Sequence, residues 1–269
     1  MKKSLILIKL GGSILTDKAV PMKLRKSMLD RLAKEIFDSS KQLPYTDIII
    51  GQGNGSFGHV PAKKYGTMDG FGSNQQSGKF GMALTQNLVS KLNSHVVDAL
   101  LAFELPVVSF RFASTLVTKN RECISNSLAV LEQYLKSGLL PVTAGDVISD
   151  TELGCNIWST EKVLGYIALH FLEKKTYEHI RIIHVGEVAG VLDGDKKIIS
   201  EISQQNKESI RSLITNTRGF DVSGGMWHKI EESLELAKQG ITSQIISGMK
   251  SGVLQQALIS DIAIGTKIY

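Results

Sequence analysis

Short, almost continuously apolar runs alternate along this chain with longer amphipathic stretches, and this alternation constrains the fold more than any other feature. The apolar runs are rich in β-branched residues and have the length of strands. Strands that are apolar on both faces are typical of parallel sheets with helices packed above and below. We therefore predict an α/β fold, a three-layer αβα sandwich with an open, mainly parallel central sheet.

The predicted strands share this apolar character and cover residues 5–10, 47–50, 106–110, 140–143, 180–185, 242–246 and 261–264. The predicted helices share an amphipathic pattern and cover residues 25–40, 80–102, 129–136, 161–171, 207–213 and 229–239. In the longest of them, Leu84, Leu88, Leu92 and Val96 recur every fourth residue and line one helical face. Ligand sites in such folds lie in the loops beyond the carboxyl ends of the strands.

Composition excludes several other classes of protein. Of the 269 residues, 42% are hydrophobic and 21% are charged, which excludes collagen-like and wholly disordered chains. The net charge of +5 is spread without a Lys/Arg block, so we expect an anionic small molecule and no nucleic acid as partner. The sequence has no apolar run of about 18 residues that would cross a membrane. Cys123 and Cys155 lack metal or disulfide spacing, which favours a soluble, cytoplasmic protein.

No linker rich in proline or serine divides the chain. The clearest seam is the turn around Ser149-Asp150-Thr151, after which a second series of strands and helices begins. We therefore expect one continuous structural domain with two lobes, residues 1–150 and residues 151–269.

The chain contains 25 glycines, and a first group follows the first predicted strand in Lys9-Leu10-Gly11-Gly12-Ser13. Paired glycines allow a sharp turn whose consecutive N–H groups face an anion, to which a serine hydroxyl adds a further donor. Lys9 would place an ammonium group near that anion. An ordinary strand-to-turn transition with surface lysines explains this turn equally well when it is taken alone.

A second group follows the second predicted strand in Gly51-Gln52-Gly53-Asn54-Gly55-Ser56-Phe57-Gly58-His59. It forms a loop of exposed amides, although it is neither a phosphate-loop motif nor a dinucleotide motif in the usual place. We interpret His59, at the end of this loop, as a functional residue because an imidazole can donate to a phosphate oxygen. The remaining histidines show no metal-ligand spacing, and we predict no metal site formed by the protein alone.

A third group, Asp221-Val222-Ser223-Gly224-Gly225-Met226-Trp227-His228-Lys229, leads into an amphipathic helix. Its glycines again offer amides to an anion at a helix N-terminus, and Lys229 supplies positive charge one turn later. A single glycine pair is also compatible with a plain helix start. Three such turns, with lysines at the first and the third, indicate a site that transfers a phosphoryl group between two phosphates.

Together the three motifs resemble the amino acid kinase superfamily and, within it, the isopentenyl phosphate kinase family, with fosfomycin kinases as a related branch. That family has Lys-Leu-Gly-Gly-Ser followed by Thr-Asp-Lys, matched here by Lys9 to Ser13 and by Thr16-Asp17-Lys18. Its Ser-Phe-Gly-His element is present as Ser56-Phe57-Gly58-His59, and its Asp-Val-Thr-Gly-Gly-Met element as Asp221 to Met226. Weaker agreement at Leu92-Asn93, Gly145-Asp146 and Gly265-Thr266 extends the resemblance over essentially the whole chain.

The resemblance implies the amino acid kinase fold and a kinase that uses ATP and Mg²⁺ on a small phosphate-bearing substrate, most specifically isopentenyl phosphate. It also implies acceptor binding by the lobe of residues 1–150, nucleotide binding by the lobe of residues 151–269, and a homodimer. The implied catalytic residues are Lys9, Lys18 (the transition-state lysine), His59 and Glu161. The implied nucleotide-binding residues are Lys9, Leu10, Gly11, Gly12, Ser13, Gly55, Glu187, Gly225 and Lys229, and the implied acceptor residues are Asn54, His59 and Gly145.

The chain departs from the family pattern at three places. Gln52 and Asn54 replace the opening histidine and the middle glycine of the second motif, and Ser159-Thr160-Glu161-Lys162 stands where the family has Ser-Gly-Asp-Asp. Gly186-Glu187-Val188-Ala189-Gly190-Val191 replaces Thr-Asp-Val-Asp-Gly-Val at the nucleotide site. The departures at Glu161 and in the Glu187 segment leave a non-catalytic nucleotide-binding relative as one alternative.

The acceptor itself is the least constrained part of the prediction. Phe71, Phe80, Met82 and Ala83 could wall a pocket for a prenyl tail, or simply pack against the sheet. Gln86 and its polar neighbours, together with Arg111, suit a more polar acceptor. A kinase of the same fold for another phosphate, a phosphonate or a carboxylate therefore stays open.

Overall fold

The structure is a computed structural model that describes residues 3–17, 19–215, 224–260 and 264–269. Its strands are β1 (Ser4–Leu10), β2 (Thr46–Gln52), β3 (Val107–Ser109), β4 (Leu116–Lys119), β5 (Glu122–Asn126), β6 (Leu140–Ala144), β7 (Asp146–Asp150), β8 (Gly154–Trp158), β9 (His179–Gly186), β10 (Glu201–Ile202), β11 (Thr242–Ser247) and β12 (Thr266–Ile268). Its α-helices are α1 (Gly12–Leu15), α2 (Lys26–Ser40), α3 (Gly55–Tyr65), α4 (Gln75–Leu101), α5 (Ala129–Lys136), α6 (Thr160–Glu173), α7 (Lys207–Thr215), α8 (Gly224–Lys238) and α9 (Val253–Ile259). Short 3₁₀ turns follow α3 and β3 at Thr67–Asp69 and Phe112–Ser114.

The central sheet has eight strands in the order β10-β12-β11-β9-β1-β2-β6-β3. Its pairs are parallel except β11 with β12, which run antiparallel. Strand β1 lies in the middle and pairs along its whole length with β2 on one side and β9 on the other. The predicted open, mainly parallel sheet is therefore confirmed.

Side chains alternate across β1 and join two separate cores. Leu5 and Leu7 lie in one core with apolar residues of α5 and α6. Ile6 and Ile8 lie in the other with residues of α2, α4 and α9. Because successive side chains of a strand point to opposite faces, a run that is apolar throughout has to be covered on both. This double coverage confirms the predicted three-layer sandwich.

A second sheet of four strands, in the order β5-β4-β7-β8, was not predicted from the sequence. In β4, buried and exposed residues alternate, and most of β5 is exposed, so neither strand contains the continuous apolar run on which the strand prediction depended. Strands β7 and β8 form an antiparallel hairpin whose turn contains residues 151–153. The predicted seam around Asp150 thus falls in a hairpin, and the division into lobes stays a prediction.

Several element boundaries also differ from the prediction. Helix α3 begins at Gly55, inside the segment predicted as a loop, because Phe57, Pro61 and Ala62 are buried where α3 packs against α4. Such packing overrides the weak helix propensity of glycine and proline. Most of the strand predicted at residues 261–264 lies outside the described residues. Among the described helices, none combines the length and the apolar character that a membrane span requires.

Asp150 organises the small sheet through its buried carboxylate. Its two oxygens accept main-chain N–H groups from Asn120, Arg121, Glu152 and Leu153 at 2.8–3.2 Å. Burial alone would raise the pKa of Asp150, but these donors outweigh burial and hold the pKa far below its usual range. One side chain therefore connects the β4–β5 turn to the β7–β8 turn.

We predict that Asp150→Ala lowers the free energy of unfolding by about 3 kcal/mol, because several N–H groups lose a charged acceptor. Urea unfolding followed by circular dichroism would measure the change. Asp195→Ala, in an exposed turn, is the matched control and should change stability by less than about 0.5 kcal/mol. Equal stabilities for the two variants would contradict the role assigned to Asp150.

Candidate active site

A cavity of about 690 Å³ lies at the carboxyl ends of β1, β2 and β9. Residues of the first two glycine turns line it together with residues from the starts of α6 and α8. The predicted site residues that line it are Lys9, Gly11, Gly12, Ser13, Asn54, Gly55, His59, Glu161, Glu187 and Lys229. Residues that are far apart in sequence thus share one cavity at the sheet edge where α/β folds bind ligands.

The first two glycine turns pack backbone against backbone beside the cavity. A Cβ atom on Gly12 would collide with the main chain of Gly55, and one on Gly53 would lie 2.5 Å from the Gly12 nitrogen. The Thr16 hydroxyl connects the turns, because it donates to the Gly12 carbonyl (2.9 Å) and accepts from the Ser56 N–H (3.0 Å). Only glycine permits this approach, which brings both sets of main-chain amides to one space.

A cluster of two lysines and one glutamate forms the charged part of the cavity. Lys9 Nζ lies 2.8 Å from Glu161 Oε1, and Lys229 Nζ lies 3.7 Å from the same oxygen. Burial alone would raise the pKa of Glu161, but the two ammonium groups outweigh burial and hold the pKa at about 2. The carboxylate is therefore ionised at neutral pH, and the three side chains together carry one net positive charge.

Glu161 owes its position to the start of α6. The Ser159 side chain caps this helix by accepting the Lys162 N–H at 3.0 Å, and Glu161 lies in the first turn. A carboxylate near a helix N-terminus is favoured by the helix dipole. Lys9 reaches the carboxylate from β1, and Lys229 reaches it from α8.

Comparison with known proteins identifies the family of this chain. The model of the amino acid kinase family matches residues 4–247. The chain belongs to the amino acid kinase family. Isopentenyl phosphate kinase from Methanothermobacter thermautotrophicus is 34% identical, and the one from Methanocaldococcus jannaschii is 29% identical, each over 98% of both chains. A crystal structure of an isopentenyl phosphate kinase superposes with a TM-score of 0.81 at 30% identity, covering 98% of this chain and 100% of the other.

The structure shows the contacts of two residues at which this chain departs from the family motifs, Glu161 and Gln52. Glu161, one methylene longer than the family's aspartate, contacts both Lys9 and Lys229. Gln52 is fully buried and does not line the cavity. Its side chain contacts α4, where it accepts from Asn93 Nδ2 (3.2 Å) and donates to the Val89 carbonyl (3.4 Å). In place of the family's histidine, Gln52 therefore packs under α4.

Asn54 and His59, which were predicted as acceptor residues, both line the cavity. Asn54 Nδ2 donates to the Gly145 carbonyl at 2.7 Å, and the Gly145 N–H donates to Thr160 Oγ1 at 2.9 Å. Gly145 is not among the residues that line the cavity; it holds the Asn54 side chain from behind. His59 is exposed on α3 and lines the cavity.

Leu10, another predicted residue, does not line the cavity. Leu10 has a core side chain, and only its carbonyl reaches the turn, where it accepts the Gly53 N–H at 2.7 Å. Gly225 lies in the first turn of α8, and Met226, the next residue, lines the cavity. Lys18 and the Asp221–Ser223 part of the third motif lie outside the described residues, and their roles stay predictions.

The apolar wall of the cavity is not the one expected from the sequence. Val60 of α3, Val147 of β7 and Ile157 of β8 provide apolar side chains. Thr85 of α4 adds a methyl group, and its buried hydroxyl has no hydrogen-bond partner among the described residues. The residues suggested from the sequence pack elsewhere: Phe71 against Gly154, and Phe80 against the Tyr65 ring at 5.4 Å. Gln86, the polar candidate, donates to the Val147 carbonyl at 2.8 Å and so supports the wall from behind.

Two ionisable residues that line the cavity were not identified as site residues from the sequence. His184 is the register partner of Lys9 in the neighbouring strand β9, a relation visible only once the strands are paired. Asp146 lies next to the apolar wall. Burial raises the pKa of Asp146 to about 6, although the Val147 N–H (2.8 Å) and the Arg111 guanidinium (3.6 Å) oppose the rise. In the sequence, only the agreement with the family at Gly145-Asp146 pointed to Asp146 as a residue of the site.

We predict that Asp146→Asn stabilises the protein at high pH and not at low pH. Because the folded chain binds this proton more tightly than the unfolded chain, stability falls as pH rises from about 4 to about 6 and then levels off. The neutral amide avoids that loss, which amounts to about 3 kcal/mol at most. Urea unfolding at pH 4 and pH 8 measures the difference, with Asp195→Asn as control. A stability difference independent of pH would contradict the raised pKa.

Proposed function

We propose that this chain transfers the γ-phosphoryl group of ATP to isopentenyl phosphate, which gives isopentenyl diphosphate and ADP. One observation carries the proposal: a single cavity contains two glycine turns, the Lys9–Glu161–Lys229 cluster, His59 and an apolar wall. Its cationic part suits phosphate groups, and its apolar part suits a short hydrocarbon tail. The isopentenyl phosphate kinases among its relatives act on the substrate that their name states.

The proposed reaction needs positive charge and alignment more than acid–base chemistry. An oxygen of the acceptor phosphate attacks the γ-phosphorus, a new P–O bond forms, and the bond to the β–γ bridging oxygen breaks with its electron pair leaving on ADP. A phosphate monoester is largely ionised at neutral pH, so its oxygen attacks without losing a proton to the protein. The loose transition state of phosphoryl transfer depends on positioning and on stabilisation of charge.

The predicted charged residues and hydrogen-bond donors each have a role in this scheme. Lys9 and Lys229 neutralise charge on the phosphates of ATP, and Glu161 holds both ammonium groups in place between turnovers. The amides of the first two glycine turns bind the transferring group, and His59 donates to the acceptor phosphate. Lys18, which follows the first motif in the sequence and lies outside the described residues, is proposed as the transition-state lysine. The apolar wall beside Val147 would receive the isopentenyl tail.

We propose that Mg²⁺ binds to the protein together with the nucleotide. The described residues contain no group of three or more His, Cys, Asp or Glu side chains that could hold a metal ion. Mg²⁺ fits this site in the way it fits many kinases, through phosphate oxygens and water with few protein ligands. When bound, it would neutralise part of the charge on the ATP phosphates. Glu187, on the cavity wall, is the carboxylate proposed to lie near the nucleotide.

The proposal also includes the oligomeric state, the cellular location and the roles of the two lobes. We propose a homodimer, a cytoplasmic location, and a division in which residues 1–150 bind the acceptor and residues 151–269 bind the nucleotide. Light scattering of the purified protein tests the dimer, since a monomer mass at micromolar concentration would contradict it.

A coupled assay of ADP release decides the proposed function. We expect turnover with isopentenyl phosphate, confirmed by the diphosphate signals of the product in ³¹P NMR. Dimethylallyl phosphate, a phosphonate and N-acetylglutamate, a carboxylate, complete the panel. Faster turnover with either of the last two would favour the same-fold kinase with another acceptor. ATP binding without ADP release across the panel would indicate a non-catalytic relative.

We predict that Lys9→Ala and His59→Ala affect different kinetic constants. Lys9→Ala should lower kcat about a hundredfold, because a preorganised positive charge is lost where the transition state needs it. His59→Ala should chiefly raise the KM for the acceptor, by about tenfold, because one hydrogen bond to the bound phosphate is lost. Lys63→Ala, exposed on α3, controls for loss of charge. Normal kinetics in both variants would mean that the site is misplaced.

A further inference from the structure

His184 occupies a defined place in the charged part of the cavity. It lies on β9 and is the register partner of Lys9 on β1 and of Ile245 on β11. Register partners on neighbouring strands project their side chains from the same face of the sheet. His184 thus stands beside Lys9, on the face covered by α6, and it lines the same cavity as Glu161 and Lys229.

The His184 ring is buried without a hydrogen-bond partner. The residue is 9% exposed, and neither Nδ1 nor Nε2 makes a hydrogen bond to any part of the chain that the structure describes. A buried polar atom that lacks a partner costs free energy, so such atoms in a native protein call for an explanation. Here the ring lines a cavity where a ligand would supply the missing partner.

The surroundings of His184 fix its charge state. Burial lowers the pKa of His184 to about 4; Glu161 opposes this effect, and Lys9 and Lys229 add to it. The imidazole is therefore neutral at neutral pH, with one N–H donor and one acceptor nitrogen. The nearby ammonium groups are donors only, so they cannot accept its N–H. A phosphate oxygen can accept from the imidazole and from both lysines at once.

We propose that His184 is a further phosphate-binding residue of this site, whose imidazole N–H donates to an oxygen of the nucleotide phosphate that Lys9 and Lys229 bind. The inference rests on the proposed function only in requiring a nucleotide phosphate in this cavity, and it is independent of the acceptor. A neutral donor fixes the direction of one phosphate oxygen without adding a third positive charge to the cluster.

Two substitutions and a matched control test the role in binding and turnover. His184→Leu removes the donor and keeps an apolar volume, and we expect kcat to fall about tenfold or more, with weaker binding of ADP. His184→Asn keeps an N–H donor and should recover part of both losses. His179→Leu, an exposed residue on the same strand, should behave as wild type. A His184→Leu protein with ADP affinity and kcat within twofold of wild type would overturn the inference.

A measurement on the wild-type chain keeps the test valid if His184→Leu fails to fold. In protein labelled with ¹⁵N-histidine, the His184 ring at pH 7.5 should show the two separate nitrogen signals of a neutral imidazole. Addition of ADP with Mg²⁺ should shift the signal of the protonated nitrogen, while the His179 signals stay in place. An unmoved His184 signal at saturating ADP would overturn the inference.

These outcomes separate this inference from the proposed function. A chain that binds ADP and shifts the His184 signal, but does not phosphorylate isopentenyl phosphate, has a different acceptor and keeps His184 as a phosphate ligand. A chain that phosphorylates isopentenyl phosphate with an unmoved His184 signal keeps the proposed function and loses only the His184 inference. Failure of the wild-type chain to bind ADP would overturn both.

Discussion

The pairing of β1 with β2 and β9 is the constraint on which the rest of this structure depends. Because β1 is apolar on both faces, a shift of its register by one residue would exchange the side chains that face α6 with those that face α2. Each large apolar side chain buried there contributes about 1.5–3 kcal/mol relative to an exposed one. The fixed register brings Lys9 to the carboxyl edge of the sheet, on the face where α6 presents Glu161.

The charged cluster holds two ammonium groups in fixed positions through one carboxylate. Lys9 is 8% exposed, and a buried ammonium group without a partner would be costly. Glu161 supplies that partner and also contacts Lys229, so that one carboxylate aligns two cations from different layers of the fold. The positive charge that remains is available to phosphate oxygens, and the glycine turns add main-chain donors of fixed direction.

Much of the fold could be predicted from the sequence where one physical signal dominates. Strands β1, β2, β9 and β11 follow from apolar runs that have to be buried on both faces, and α4 follows from its repeat of apolar residues every four positions. Strands β4 and β5 of the small sheet escaped the prediction because half or more of their residues are exposed. Helix α3 escaped it because its start reads as a loop, and only packing against α4 makes it helical.

The sequence by itself determined the layered α/β class and the glycine turns, because these depend on local patterns. Its motifs and its family resemblance marked Lys9, His59, Glu161 and Lys229 as candidate site residues. The tertiary structure decided which residues meet. It placed His184 beside Lys9, brought Asp146 next to the apolar wall, and replaced the expected wall with side chains from four different elements. Strand register and helix packing join residues that are distant along the chain, and no local pattern records those contacts.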